Sequence, residues 1–271
     1  MVKKEPHKVI MVISQFYPAL GGAEVQAQRL AGALIKRGIA VSVLTRRTGG
    51  LPSYECIGGI PVYRAIRTVP LPFLWGLAYM VSTFFFLYKR RKEYAIIHCH
   101  IIQEFQTIVA ALLKLFFRKK VVVKMSSSGV TSDITLVHRK VYGRLFLLCA
   151  RYADRIIAVC KESSRELRAE GFPGDRLVES PNGVDTGTFT HRDCRGTREE
   201  RRITFIGRLD GYKGVVYLLQ GFKTLLSHIE QVRLVIVGRG PDEAHLKYLT
   251  GELELQEKVD FRGQQEDIPS I

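Results

Sequence analysis

The sequence predicts an α/β fold built from two successive strand–helix alternations, and three observations carry that expectation. Short apolar runs rich in β-branched residues recur along the chain, at 9–13, 120–124, 155–159, 203–206 and 233–237. Most are followed by a glycine-bearing turn or a polar loop and then by apolar positions at helical spacing. A charge-dense stretch without periodicity, 191–202, separates the alternations and places one domain at 1–190 and a second at 191–271.

Taken in order, 9–13 (VIMVI) is a continuous apolar run, as expected of a parallel strand covered on both faces. The loop 14–22 follows, with Pro18 and the pair Gly21-Gly22. Val25, Ala27, Leu30, Ala31, Leu34 and Ile35 then keep helical spacing, and Gly38 closes that helix. Residues 40–45 and 60–64 read as strands. The loop is not G-x-G-x-x-G, so a dinucleotide fingerprint is absent. Gly21-Gly22 either lets another molecule approach a helix start closely or simply makes a tight turn.

Residues 71–88 carry no charge and are followed by Lys89, Arg90, Arg91 and Lys92. Three readings stand: a core helix, an interfacial helix with a basic collar for anionic head groups, or a membrane span interrupted near its start by Pro72 and Gly76. Residues 94–99 form a strand that ends in His98-Cys99-His100, and 103–117 a helix. Residues 134–152 are expected to be one long helix, and 161–170 a short one ending at Gly171. The segment 180–185 (SPNGVD) finishes the first alternation, which predicts parallel pairing throughout. The second runs strand 203–206, read as buried, helix 215–228, strand 233–237, helix 242–253 with Pro241 in its first turn, and strand 259–261. It is short for a complete domain of this class.

The stretch 203–214 (ITFIGRLDGYKG) places Arg208 and Lys213 at the carboxyl end of a strand, beside a helix start. Open α/β sheets bind ligands at such ends, and two cations there suit a phosphate or diphosphate; the plainer reading is two solvated side chains. Gly238-Arg239-Gly240-Pro241 makes a second turn of this kind. His98 and His100, two apart, are expected to point to opposite faces, one to the cleft and one into packing. No Ser-His-Asp order, H-E-x-x-H or G-x-x-x-x-G-K-[ST] is present, which leaves serine hydrolysis, zinc proteolysis and Walker-type hydrolysis without support.

The net charge of +15 favours phosphorylated ligands, anionic membranes or nucleic acid. A nucleic-acid role is not expected, because no basic strand face carries interleaved aromatics and no helix-turn-helix pattern appears. Cys56, Cys99, Cys149, Cys160 and Cys194 show no C-x-x-C pair and read as reduced thiols in a cytosolic protein. No signal peptide is expected at the N-terminus.

Five of these segments, in register, resemble the retaining glycosyltransferases of family 4. They are Gly21-Gly22-Ala23-Glu24, His98-Cys99-His100, Pro181-Asn182-Gly183-Val184-Asp185, Gly207-Arg208-Leu209-Asp210 with Lys213-Gly214, and Val237-Gly238-Arg239-Gly240-Pro241. The resemblance implies a GT-B-like fold, with one complete Rossmann-like domain followed by a truncated second one. It implies transfer of a hexose from a nucleotide-diphosphate sugar to a lipid-linked or polysaccharide acceptor, with retention of configuration and without metal or other cofactor. The protein would be cytoplasmic and peripheral on the inner face of the membrane.

By position, Gly21 and Gly22 would lie near the donor phosphate, with Glu24 behind them, and His100 would contact the transferred sugar and stabilise charge. Arg208 and Lys213 would neutralise the leaving diphosphate, with Gly240 beside them, and Asn182 and Asp185 would border the cleft. The family's acidic pair follows further on than Ile271. The polypeptide of 271 residues is therefore expected to turn over poorly, or to act as a non-catalytic sugar-nucleotide or anionic-membrane binding module.

Overall fold

The computed structural model describes residues 8–19, 21–189, 201–265 and 267–270. The chain forms two compact units, Met1–Gly183 and Val184–Ile271. Most of the expected linker, residues 191–200, lies outside the described residues, as does Cys194.

The first unit is built on β1 (Val9–Val12), β2 (Val41–Arg46), β3 (Tyr54–Ile57), β4 (Ile60–Ile66), β5 (Ile96–His100), β6 (Lys120–Lys124), β7 (Arg155–Ala158) and β8 (Leu177–Glu179). These form one sheet in the order β3-β4-β2-β1-β5-β6-β7-β8. All neighbours are parallel except the hairpin β3–β4. That hairpin corrects the expectation of parallel pairing throughout. Its turn is Gly58-Gly59, both at positive φ, and this two-residue connection closes antiparallel strands directly.

Strand β1 is buried along its whole length, as a continuous apolar run requires. Its alternate side chains feed two separate cores. Val9, Met11 and Ile13 pack with Ala27 and Ala31 of helix α1 (Gly22–Lys36). Ile10 and Val12 join a larger core with helices α2 (Pro72–Lys89), α3 (Phe105–Phe117), α4 (Asp133–His138), α5 (Gly143–Arg151) and α6 (Lys161–Ala169). Gly38, at φ +79°, ends α1 as the left-handed residue expected there.

Residues 134–152 are two helices, not one. The chain turns between α4 and α5 where Gly143 presses its Cα against the Val137 carbonyl, and Lys140 and Gly143 donate backbone N–H groups to Val137 and Lys140. Any side chain at Gly143 would overlap that carbonyl. The segment 71–88 is helix α2, and among the described residues no helix is long and apolar enough to cross a membrane. Cys56, Cys99, Cys149 and Cys160 are free thiols.

The second unit has a parallel three-stranded sheet, β11 (Val259–Gly263), β10 (Val232–Val237) and β9 (Arg201–Ile206), in that order. Helices α7 (Val215–Leu226) and α8 (Glu243–Glu252) cover a core of Leu209, Leu219, Phe222, Leu234, Ile236 and Leu246. Strand β9 was expected to be buried. It is an edge strand with Ile206 exposed, because among the described residues β10 alone flanks it. Pro241 precedes α8 rather than opening it.

Candidate active site

In the first unit the strand order reverses at β1. The connection from β1 leads through α1 to β2 on one side, and the connection from β5 leads through α3 to β6 on the other. Loops leaving the carboxyl ends of β1 and β5 therefore diverge and leave a crevice, which is where open α/β sheets bind ligands. Gly21, Gly22 and Glu24 stand on the β1 side, and His100 ends β5.

On the β1 side, Gly21 is the N-cap of α1 in extended conformation, and the Glu24 carboxylate folds back over its Cα. A Cβ at Gly21 would strike that carboxylate, whereas Gly22 faces open space. Partial burial raises the Glu24 pKa, and a backbone hydrogen bond offsets part of that rise. The loop is anchored by Arg64, which is 1% exposed, donates to the Tyr17 carbonyl at 2.7 Å and pairs with Glu55 of β3.

On the β5 side, His98 and His100 stack at 4.4 Å on the same face of the strand. This corrects the expectation of opposite faces, since a strand repeats every two residues. Both are buried, and among the described residues Nε2 of each has no hydrogen-bond partner. Burial, followed by the nearby Lys124 ammonium, lowers the His98 pKa to about 4. Burial, then His98 and Lys124, holds His100 well below the usual histidine range. Both rings are neutral at pH 7. A neutral ring can offer a hydrogen bond but no charge, so positive charge on this strand edge comes from elsewhere.

Lys124 supplies that charge, and it is a residue the sequence reading passed over. It ends β6 directly opposite His100 in the ladder and donates to Oδ1 of Asn182 at 2.7 Å. Burial lowers its pKa to about 8, so it is cationic at neutral pH. His100, Lys124 and Asn182 thus share one strand edge. Replacing Lys124 by methionine is expected to raise the pKa of both histidines, because a repelling charge is removed. Proton NMR titration of the ring resonances reads this, and unchanged titration would sink the assigned coupling.

A polar brace ties this edge together. Ser14 donates to the Glu104 carboxylate across the crevice, and Gln106 donates to the same carboxylate at 2.9 Å and to the His100 carbonyl at 2.7 Å. Tyr79 of α2 donates to Gln106 at 2.6 Å. Ile101 follows His100 at φ +73°, a left-handed conformation that is strained for a β-branched residue and costs on the order of 1–3 kcal/mol. Its N–H bonds the Lys124 carbonyl at 2.9 Å, which holds that conformation.

In the second unit Arg208 and Lys213 flank the turn after β9. The Arg208 side chain is 70% exposed and pairs with Asp210 at 3.5 Å. Lys213 is exposed in a single 3-10 turn, and Gly214 at φ +67° caps α7. The neighbouring turn is packed backbone to backbone on this one. A Cβ at Gly238 would overlap the Gly207 carbonyl oxygen, and one at Gly240 the Leu209 carbonyl oxygen. Leu209 and Arg239 also share a backbone hydrogen bond of 3.0 Å. Gly240 therefore has a packing reason to lack a side chain. Gly240→Ala is expected to destabilise this unit by about 1–3 kcal/mol through overpacking, read from urea denaturation; an unshifted midpoint would contradict it.

Asp185 uses its carboxylate locally, accepting from the N–H of Gly187 at 3.0 Å and the hydroxyl of Thr188 at 3.2 Å. Among the described residues no three His, Cys, Asp or Glu converge as a metal site.

The family model for Glycosyltransferase Family 4 matches residues 20–188, more than half of the chain. The chain belongs to that family. A second family model, for glycosyl transferases group 1, matches residues 190–271. An uncharacterised glycosyltransferase of Methanocaldococcus jannaschii is 28% identical over 94% of this chain and 69% of its own length. A phosphatidylinositol N-acetylglucosaminyltransferase polypeptide of Arabidopsis thaliana is 27% identical over 96% of this chain and 58% of its own. A phosphatidyl-myo-inositol mannosyltransferase of Mycolicibacterium smegmatis is 28% identical, with coverage of 91% and 62%. The chain thus spans between 58% and 69% of the length of these relatives.

Among solved structures, HepE of Anabaena in complex with UDP and glucose superposes with a TM-score of 0.73 at 20% identity, covering 97% of this chain and 71% of that one. WaaG, a glycosyltransferase of lipopolysaccharide biosynthesis, gives 0.68 at 14% identity, covering 96% and 71%. The fold is that of GT-B glycosyltransferases.

Proposed function

We propose that this chain serves a retaining hexosyltransferase that uses a nucleotide-diphosphate sugar and a lipid-linked or polysaccharide acceptor. The observation that carries this reading is the strand edge of the first unit. It presents a buried, neutral His100 with an unpartnered Nε2, beside the cationic Lys124 held by Asn182. A neutral imidazole can hydrogen-bond a sugar hydroxyl in a site from which water is excluded, where such a bond gains strength. In the second unit Arg208 and Lys213 would neutralise the departing diphosphate, with the backbone of Gly240 close behind. Gly21 and Gly22 would let the donor phosphate approach the α1 N-terminus, and Glu24 would hold that turn. No cofactor and no metal are proposed, because the two cations stabilise the same developing charge.

The relatives' names support the acceptor class, since two of them act on phosphatidylinositols. Cytoplasmic, peripheral placement at the inner membrane face rests on α2. Its exposed stripe Leu74, Leu77, Val81 and Phe85 ends in Lys89. The reading is tested by supplying nucleoside-diphosphate hexoses with a lipid-linked acceptor and following the anomeric NMR signals of the product. Retained configuration, lost in His100→Ala, is the expected result. An inverted product, or a His100→Ala variant as active as the parent, would overturn it. Retention on nucleotide-diphosphate resin should also persist in salt that strips the protein from DNA, because phosphate-backbone binding falls steeply with salt.

A further inference from the structure

Helices of a water-facing layer turn charged and polar residues outward, and an apolar outer stripe is the exception. Helices α2, α3 and α5 lie side by side on one sheet face, linked by the ring of Phe105. That ring sits 5.8 Å from Trp75, 6.0 Å from Tyr79 and 5.3 Å from Phe146. Among their described side chains eleven are exposed. Nine are large and apolar: Leu74, Leu77, Val81, Phe85, Leu112, Leu115, Phe116, Leu145 and Leu148; the other two are Lys89 and Arg144, and none is acidic. The exposed positions of α6, packed on the same core, are Lys161, Glu162, Arg165, Arg168 and Ala169, an ordinary solvated face. The apolar outer surface is therefore specific to three adjoining helices.

The charges around this band are predominantly basic and sit at both of its ends. At the carboxyl ends of α2 and α3 stand Lys89, Arg90, Arg91 and Lys92 with Arg118, Lys119 and Lys120. Lys119 joins the two groups by donating to the carbonyls of Arg91 and Tyr94. At the opposite end, before and within the first turn of α5, stand Arg139, Lys140 and Arg144. The nearby acids are engaged, Glu93 with Arg90 at 3.1 Å and Asp154 with Lys114 and Lys120 at 3.0 and 3.2 Å.

We propose that α2, α3 and α5 together form one docking face that lays the first unit flat on an anionic lipid bilayer. This deepens the membrane placement proposed above, which rested on α2 alone. The apolar band enters the acyl boundary while the two basic ends meet head-group phosphates, the arrangement of an interfacial rather than a spanning element. Charge decides between a bilayer and a second copy of this chain. Two such faces brought together by a two-fold axis would set basic ends against basic ends, whereas anionic head groups complement both. Crossovers run antiparallel to their strands, so the amino ends of these helices border the carboxyl edge that holds His100. Docking in this pose keeps that edge beside the head groups, within reach of an acceptor whose tail stays in the membrane.

The test is cosedimentation with vesicles of phosphatidylcholine, with and without phosphatidylglycerol, for the parent and for Leu77→Glu, Leu115→Glu and Leu148→Glu, one on each helix. All three positions are exposed, and circular dichroism melting checks that folding is unchanged. The parent is expected to bind the anionic vesicles more tightly, and high salt to weaken that binding without abolishing it. Each substitution should lower the partition coefficient about tenfold or more. A loss confined to Leu77→Glu would overturn the three-helix face, as would a parent that binds neither vesicle. A parent that sediments as a dimer and is dispersed by the same substitutions would assign the face to a second copy instead. Nucleoside-diphosphate calorimetry on the same samples separates this proposal from the transferase reading. Vesicle binding without nucleotide binding leaves the docking face standing and removes the transferase.

Discussion

Replacing Arg208 and Lys213 together by alanine is expected to weaken nucleoside-diphosphate binding by about 3–6 kcal/mol, the sum of two charge-assisted hydrogen-bond sets at roughly 1.5–3 kcal/mol each. That corresponds to a rise in Kd between about a hundred-fold and roughly ten-thousand-fold, read by calorimetry. The single variants should not divide this equally. Arg208 is paired with Asp210 at 3.5 Å, so an incoming diphosphate must share it with a carboxylate. Arg208→Ala removes an attraction and also leaves the Asp210 carboxylate uncompensated beside the ligand. Adding Asp210→Asn to Arg208→Ala should therefore recover part of the loss, a non-additivity expected of groups in contact. Equal affinity in the parent and the double variant would remove the diphosphate from this turn altogether.

The strand–helix alternation was legible because each parallel strand is an uninterrupted apolar run, and because Gly38, Gly171 and Gly214 all sit at positive φ at helix boundaries. Local pattern failed where a distant atom decides the outcome. Gly143 looks like a tolerable helical glycine until the Val137 carbonyl is seen against it. The hairpin strand 54–57 was missed because its burial alternates, with Tyr54 and Cys56 exposed at the sheet edge, and so lacks the apolar run of its parallel neighbours.

The candidate site divides in the same way. Arg208 and Lys213 stand out from their own turn, because two cations after a strand suggest an anion without further context. Lys124 does not, since KVVVK reads only as a strand with charged ends. A signal was available: a lysine at the carboxyl end of a strand in a parallel sheet lies on the ligand-binding edge by topology. Its partner Asn182 is 58 residues away, and no spacing rule links them. The brace of Ser14, Tyr79, Glu104 and Gln106 joins three separate elements and has no sequence signature either.

Acid is expected to destabilise this protein through its stacked histidines. The unfolded value for histidine is about 6.5, and the native His98 value is about 4, with His100 also depressed. As pH falls below 6.5 the unfolded chain takes up protons that the native chain refuses, so stability drops steadily down to about pH 4. A gap of about 2.5 units corresponds to about 3 kcal/mol from His98 alone at the bottom of that window, and His100 acts in the same direction. Above pH 6.5 neither ring contributes, because both states are neutral. The buried carboxyls oppose the effect. Glu104 and Asp133 have raised pKa values, so the native state gains protons ahead of the unfolded one as pH falls.

The variant His98→Leu separates the two contributions. It removes one resisting ring and leaves Glu104 and Asp133 in place. Urea denaturation of parent and variant at a series of pH values between 7 and 4 should give curves that converge or cross by about 3 kcal/mol over that range, with the variant the less acid-sensitive. Parallel curves would show that His98 titrates normally in the native state. They would also remove the reason for treating its stacked neighbour, His100, as a neutral ligand to the sugar.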